Sequence, residues 1–119
     1  MGLLSRLFGS RDKSKNGIPK QEVEVFFAYG STNFQYVYAL GDQLQIAVSD
    51  AKAGEYDGHE ITPGGSECKL FLFGPDAETI LRVITPVLEA SPLTRGAVIT
   101  LLFGQRGWRT PKRVIKLPQ

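Results

Sequence analysis

Apolar residues recur along the chain with a period of two in some segments and of three to four in others. Residues 22–29 (EVEVFFAY), 67–73 (ECKLFLF) and 97–103 (AVITLLF) are short, apolar and rich in β-forming residues, so each is predicted to be a strand. Two more polar segments, residues 55–61 and 113–117, are predicted to be further strands, the last of them at a sheet edge.

A first helix is predicted between the first two strands. Thr32 followed by Gln35 fits a capping box, and Gly54 suits the C-terminal stop. Gly41 costs the helix about 1 kcal/mol relative to alanine, and residues 43–48 (QLQIAV) taken alone would also suit a strand. The apolar residues at helical spacing are Val37, Leu40, Leu44, Val48 and Ala51.

A second helix is predicted after the sequence GPDAE. Pro75 suits a first turn, and the carboxylates of Asp76 and Glu78 complement the positive end of the helix. Pro86 is expected to kink this helix or to end it early. The predicted apolar face comprises Ala77, Ile80, Leu81, Ile84, Val87 and Leu88.

The order of these elements is strand, helix, strand, strand, helix, strand and one extra strand. This order predicts an α+β, ferredoxin-like split βαββαβ sandwich, with both helices on one face of a mostly antiparallel sheet and an extra C-terminal edge strand. Residues 1–20 are polar and basic and are predicted to be a flexible tail, whereas residues 21–119 are enough for a single domain.

One face of the predicted sheet has no helix to cover it. Strand alternation places Phe26, Phe71 and Phe73 on that face, and an apolar patch of this size is rarely left in water. Three alternatives could cover this face: a second copy of the chain, another protein, or the chain's own basic C-terminal segment with Trp108.

Charge is distributed unevenly. Residues 1–20 hold five Lys or Arg and one Asp, and residues 106–119 hold five Lys or Arg and no acid. Residues 21–105 hold four Lys or Arg against eleven Asp or Glu. An acidic body between basic ends favours a basic partner and opposes a phosphate backbone.

The segment GEYDGHE places acids beside the only histidine. In a regular strand Glu55, Asp57 and His59 would point one way and Glu60 the other. Carboxylates and imidazole are ligands for zinc, but three or four are needed and the sequence marks no further one. An enzyme or a metal-binding protein using Asp57 and His59 is therefore an alternative, whereas an acidic recognition surface is the favoured interpretation.

Alternating Lys69, Phe71 and Phe73 resemble the base-stacking strand of an RNA-recognition motif. The glycines of that motif are missing, and the body is acidic. RNA binding through Phe71, Phe73 and Trp108 is kept as a second alternative.

The single cysteine and the lengths of the apolar runs indicate in which compartment of the cell the protein is expected. Cys68 lies in an apolar strand and is predicted to be buried, and the lack of a disulfide framework fits a reducing cytoplasm. No run approaches the ~20 apolar residues that cross a bilayer. Weak contact of the basic N-terminal tail with an anionic membrane surface stays open.

The segments GEYDGHEI, LFLFGPDAE and RGAVITLLFG resemble a family of small bacterial proteins with no established activity, over residues 22–104. The resemblance implies this order of elements and a bacterial cytosolic origin, and it carries no catalytic residue. In size and charge the domain is also similar to bacterial toxin-immunity proteins.

These observations together predict a non-catalytic protein-binding module without a cofactor. Its partner is expected to be a basic protein, as in immunity-like neutralisation, or a second copy bound through the open sheet face. The expected contact residues are Asp50, Glu55, Asp57, His59, Glu60, Phe26, Phe71 and Phe73.

Overall fold

A computed structural model describes residues 20–104, 107 and 109–119 of the chain. The predictions for residues 1–19 and for Trp108 lie outside this part. The elements are β1 (Gln21–Ala28), α1 (Gln35–Asp50), β2 (Glu55–Ile61), β3 (Glu67–Gly74), α2 (Ala77–Ala90), a short 3₁₀ helix (Pro92–Thr94), β4 (Val98–Leu102) and β5 (Lys112–Lys116).

The five strands form one open antiparallel sheet in the order β2-β3-β1-β4-β5. The fold is therefore α+β, with two helices and β5 at one edge. Every predicted strand is present, with bounds that shift by at most one residue at either end.

The hydrophobic core lies between the two helices and one face of the sheet. Alternate residues of the inner strands point into it, as Val23, Val25 and Phe27 of β1 do. The predicted apolar faces of both helices meet them, which joins helices and sheet in a single cluster. Fully buried members include Val37, Leu44, Val48, Leu70, Leu72, Ile80, Ile84, Ile99 and Leu101.

The start of α1 differs from the predicted capping box. The helix begins at Gln35, and Phe34 in the N-cap position makes no side-chain cap. Instead, Asn33 Oδ1 accepts a hydrogen bond from the Gln35 amide at 3.1 Å, and Ser31 Oγ accepts one from the Asn33 amide at 3.0 Å. Short polar side chains bond to the nearby backbone and hold the chain in turns until the helix begins.

The second helix begins at Ala77, so Pro75 lies before its N-cap and not in its first turn as predicted. Asp76 is the N-cap residue: its carboxylate accepts hydrogen bonds from the Glu78 amide at 3.2 Å and from the Thr79 hydroxyl at 2.8 Å. Pro86 does not end α2 early, because the helix continues to Ala90. Pro86 lies on the exposed side, where water can satisfy the carbonyl that loses its amide partner.

The sheet face away from the helices is not bare. Phe71 and Phe73 lie there and are only 2% and 6% exposed, and Phe26 is half-buried. Because this burial arises within one chain, it favours the intramolecular cover among the three alternatives. Neither Phe71 nor Phe73 is then available as the predicted contact surface, and association through this face stays a prediction.

Candidate functional site

The edge strand β2 contains a β-bulge at Asp57. Tyr56 pairs with Leu72 and Gly58 pairs with the next residue of β3, Phe71, so two residues of β2 oppose one of β3. The extra residue shifts the alternation of side chains along the rest of the strand.

The bulge separates the residues that strict alternation groups together. His59 pairs with Leu70, which points to the helices, whereas Glu55 and Glu60 pair with Phe73 and Lys69, which point away from them. The prediction that Glu55, Asp57 and His59 share one face is therefore wrong. The strand contains one residue more than its ladder requires.

Tyr56 lies against the backbone of α1. A Cβ atom added at Gly41 would come within 2.9 Å of the Tyr56 ring, so the glycine allows the ring to approach the helix. The Tyr56 amide also donates a hydrogen bond to Gln45 Oε1 at 3.3 Å. Helix propensity alone disfavours Gly41, but its lack of a side chain allows β2 to pack closely against α1.

The tyrosine hydroxyl at this junction is poorly suited to acid–base chemistry. Burial raises the pKa of Tyr56, and the nearby carboxylates of Asp42 and Asp57 raise it further. Tyr56 therefore keeps its proton at neutral pH. The effect also shows that carboxylates from α1 and from the bulge of β2 lie near the same hydroxyl.

His59 packs against an aromatic residue of α1. Its ring centroid lies 5.2 Å from that of Tyr38, with 38° between the planes. Burial lowers the pKa of His59, so the imidazole is neutral near pH 7. The structure thus shows His59 as a neutral ring in contact with Tyr38.

Cys68 is buried, as predicted, and burial raises the pKa of its thiol to about 12. A protonated thiol in an apolar site is a poor nucleophile. The structure thus gives Cys68 a role in the core.

Asp57 and His59 do not belong to a metal-binding cluster among the residues that the structure describes. In the described part of the chain, no three or more His, Cys, Asp or Glu side chains are grouped to hold a metal ion. Two cavities, of about 290 and 260 Å³, lie elsewhere: one borders Phe26, Glu60 and Lys69, and the other borders Leu88, Arg95 and Gln119. The enzyme alternative gains no support from this geometry.

RNA binding gains no support either. Stacking of bases needs exposed aromatic rings. Phe71 and Phe73 are buried, and Trp108 lies outside the described residues.

Five carboxylates lie on two elements that contact each other, Asp42 and Asp50 on α1 and Glu55, Asp57 and Glu60 on β2. We call these residues the acidic surface. All are exposed except Asp57, which is half-buried. Lys52 is the one Lys or Arg within residues 35–61. Two further lysines lie beside β2: the ammonium of Lys20 is 2.9 Å from Glu55 Oε1, and Lys69 of β3 pairs with Glu60.

The outer side of α1 adds apolar residues to the acidic surface. Tyr36, Tyr38 and Ile46 are 62%, 51% and 60% exposed. Sequence reasoning identified the buried stripe of this helix but missed this complement, although the same helical spacing places the three residues outside the stripe.

Comparison with models of protein families and with curated proteins finds no match to this chain. Within residues 20–104, 107 and 109–119, no helix has both the length and the apolar character that crossing a membrane requires.

Proposed function

We propose that the protein is a non-catalytic module that binds a basic partner protein through the acidic surface. The observation that carries this proposal is the charge of two contacting elements: residues 35–61, which include α1 and β2, hold five Asp or Glu and one Lys or Arg. One form of the activity is neutralisation of a basic toxin or enzyme, as immunity proteins do.

Electrostatics supports this proposal. A patch of one sign accelerates the encounter with a partner of opposite sign and repels partners of the same sign. Burial lowers the pKa of His59, so the imidazole adds no positive charge at neutral pH to offset the carboxylates.

We also infer that the sheet is ferredoxin-like, extended by β5. β1 and β2 both pair antiparallel with β3, so they run parallel with β3 between them, and α1 connects them. β3 and β4 are related in the same way through β1, and α2 connects them. Two interlocked split βαβ units support this assignment.

Single charge reversals test the proposed function. Affinity-tagged wild-type protein and the variants Asp50→Lys and Glu60→Lys would be used to isolate partners from the native cell. The matched control is Glu89→Lys, which reverses an exposed carboxylate of α2 outside the acidic surface.

We expect a protein of net positive charge that is retained by wild type and by Glu89→Lys, and that is retained at least about tenfold less by the other two variants. Purified partner should associate more slowly as salt concentration rises. Equal retention by all three variants would contradict the proposal, as would retention of nucleic acid alone.

A further inference from the structure

Exposed apolar side chains are concentrated on one helix. In the described part of the chain four large apolar residues are strongly exposed, and three of them, Tyr36, Tyr38 and Ile46, belong to α1. The fourth, Val114, lies on β5 at the opposite edge of the sheet. Scattered exposed apolar residues are ordinary, but a cluster marks an interaction site.

Tyr36 and Tyr38 lie at the two margins of the outer side of α1, and Ile46 lies between them. At 3.6 residues per turn the three residues span an arc of about 160° and a rise of about 15 Å. The buried stripe of the same helix, which includes Val37, occupies the opposite arc. The outer side therefore combines exposed apolar side chains, which the core does not explain, with the carboxylates of Asp42 and Asp50.

We propose that the outer side of α1 docks a basic amphipathic segment of a partner protein, with Tyr36, Tyr38 and Ile46 as the anchoring side chains. This inference rests on the proposed function, and it adds the part of the surface that supplies apolar contact. Tyrosine and other large side chains at the centre of an interface commonly carry most of its binding energy.

The charge of α1 indicates which kind of partner would bind to its outer side. α1 contains Asp42 and Asp50 and no Lys or Arg, and both carboxylates are exposed. A second copy of the chain docked through α1 would bring like charges together, and an anionic membrane would also be repelled. A partner segment in which Lys or Arg residues flank an apolar stripe would match both the negative charge and the exposed apolar side chains of α1.

Tyr38 has a contact within the chain on one side of its ring. The ring packs at a tilt against His59, whose backbone pairs with β3. A side chain already held in place loses less conformational entropy on binding. This contact therefore favours Tyr38 as an anchor.

Two synthetic peptides test the docking site. Both are amphipathic 18-residue helices with the same leucine stripe; one carries lysine and the other glutamate at every polar position. Fluorescence anisotropy of the labelled peptides would give their Kd values for full-length protein. The variants are Tyr36→Ala, Ile46→Ala and Asp50→Lys, with Val114→Ala as an exposed apolar control.

We expect the lysine peptide to bind wild type at least about tenfold more tightly than the glutamate peptide. Tyr36→Ala and Ile46→Ala should each weaken its binding about fivefold or more, and Val114→Ala should leave it unchanged. Circular dichroism would verify that each variant is folded.

The outcomes separate this inference from the proposed function. Binding that Asp50→Lys abolishes but Tyr36→Ala and Ile46→Ala do not affect would overturn the docking site and leave the acidic surface standing. Binding that depends on Ile46 but not on charge would overturn the basic partner. No binding of the lysine peptide, or a solution mass showing that the chain dimerises through α1, would overturn the inference.

Discussion

The two helices lie side by side against the same sheet, yet they differ on their outer sides. α2 buries its apolar face and presents Arg82, Pro86 and Glu89 to solvent. α1 buries an equivalent stripe but also exposes Tyr36 and Ile46. The core alone explains α2, whereas α1 needs a second explanation, which the proposed docking site supplies.

The largest expected effect contrasts an isoleucine in each helix. Ile84 in α2 is fully buried, so Ile84→Ala should lower the free energy of unfolding by about 3 kcal/mol. Ile46→Ala in α1 should change it by less than about 0.5 kcal/mol, because that side chain is mostly exposed. Urea denaturation of both variants measures the difference. A large loss for Ile46→Ala would show that its side chain supports the fold, which would break the contrast.

A double-mutant cycle sharpens the contrast at the junction of α1 and β2. Gly41→Ala should gain about 1 kcal/mol of helix propensity but lose about 2 kcal/mol because the new Cβ would meet the Tyr56 ring. We expect a net loss of about 1 kcal/mol in wild type and a gain of about 1 kcal/mol when Tyr56→Ala is already present.

Denaturation midpoints of the four proteins in this cycle give the coupling energy. Identical effects of Gly41→Ala in the two backgrounds would mean that the ring does not restrict residue 41. The glycine would then need another explanation.

The starts of the two helices offer a smaller test. Asp76 accepts two hydrogen bonds and places a negative charge at the N-terminus of α2, so Asp76→Ala should cost about 1 kcal/mol. Asn33 accepts one hydrogen bond ahead of α1 and is uncharged, so Asn33→Ala should cost about half as much. Thermal melting at low ionic strength measures both losses, and a reversed order would contradict the assigned caps.

The pH dependence of stability tests the contact between α1 and β2. Burial lowers the pKa of His59 below its ordinary value of 6.5, so the unfolded chain takes up the proton first as pH falls. This contribution to stability is complete above about pH 6.5 and is lost as pH falls through the folded-state pKa. Melting temperatures from pH 7.5 to 5 should fall more for wild type than for His59→Phe; equal slopes would show that the imidazole is not desolvated.

The strands and helices could be predicted because each carries a strong local pattern. Residues 67–73 and 97–103 are short apolar runs rich in β-forming residues, and the acidic residues Asp76 and Glu78 indicated where α2 starts. The start of α1 was harder to predict, since Thr32, Asn33 and Ser31 all offer side chains that can bond to the nearby backbone. The choice among them depends on where tertiary contacts place the first turn.

The candidate site was predicted less completely, for physical reasons. The carboxylates of the acidic surface were evident from composition, but the direction of His59 depends on the bulge at Asp57, which no periodic pattern signals. Phe71 is buried on the sheet face that carries no helix, and alternation within one strand does not predict burial there.

The bulge in β2 also affects whether the exposed edge of the sheet can pair with strands of other molecules. A chain lacking Asp57 would keep Tyr56 and His59 on the sides they now occupy, because the extra residue lies between two ladder pairs that would simply become consecutive. Without the bulge, however, β2 would be a regular exposed edge strand, and such a strand can pair with a strand of another molecule. The bulge at Asp57 makes the β2 edge irregular, which disfavours the addition of a further strand.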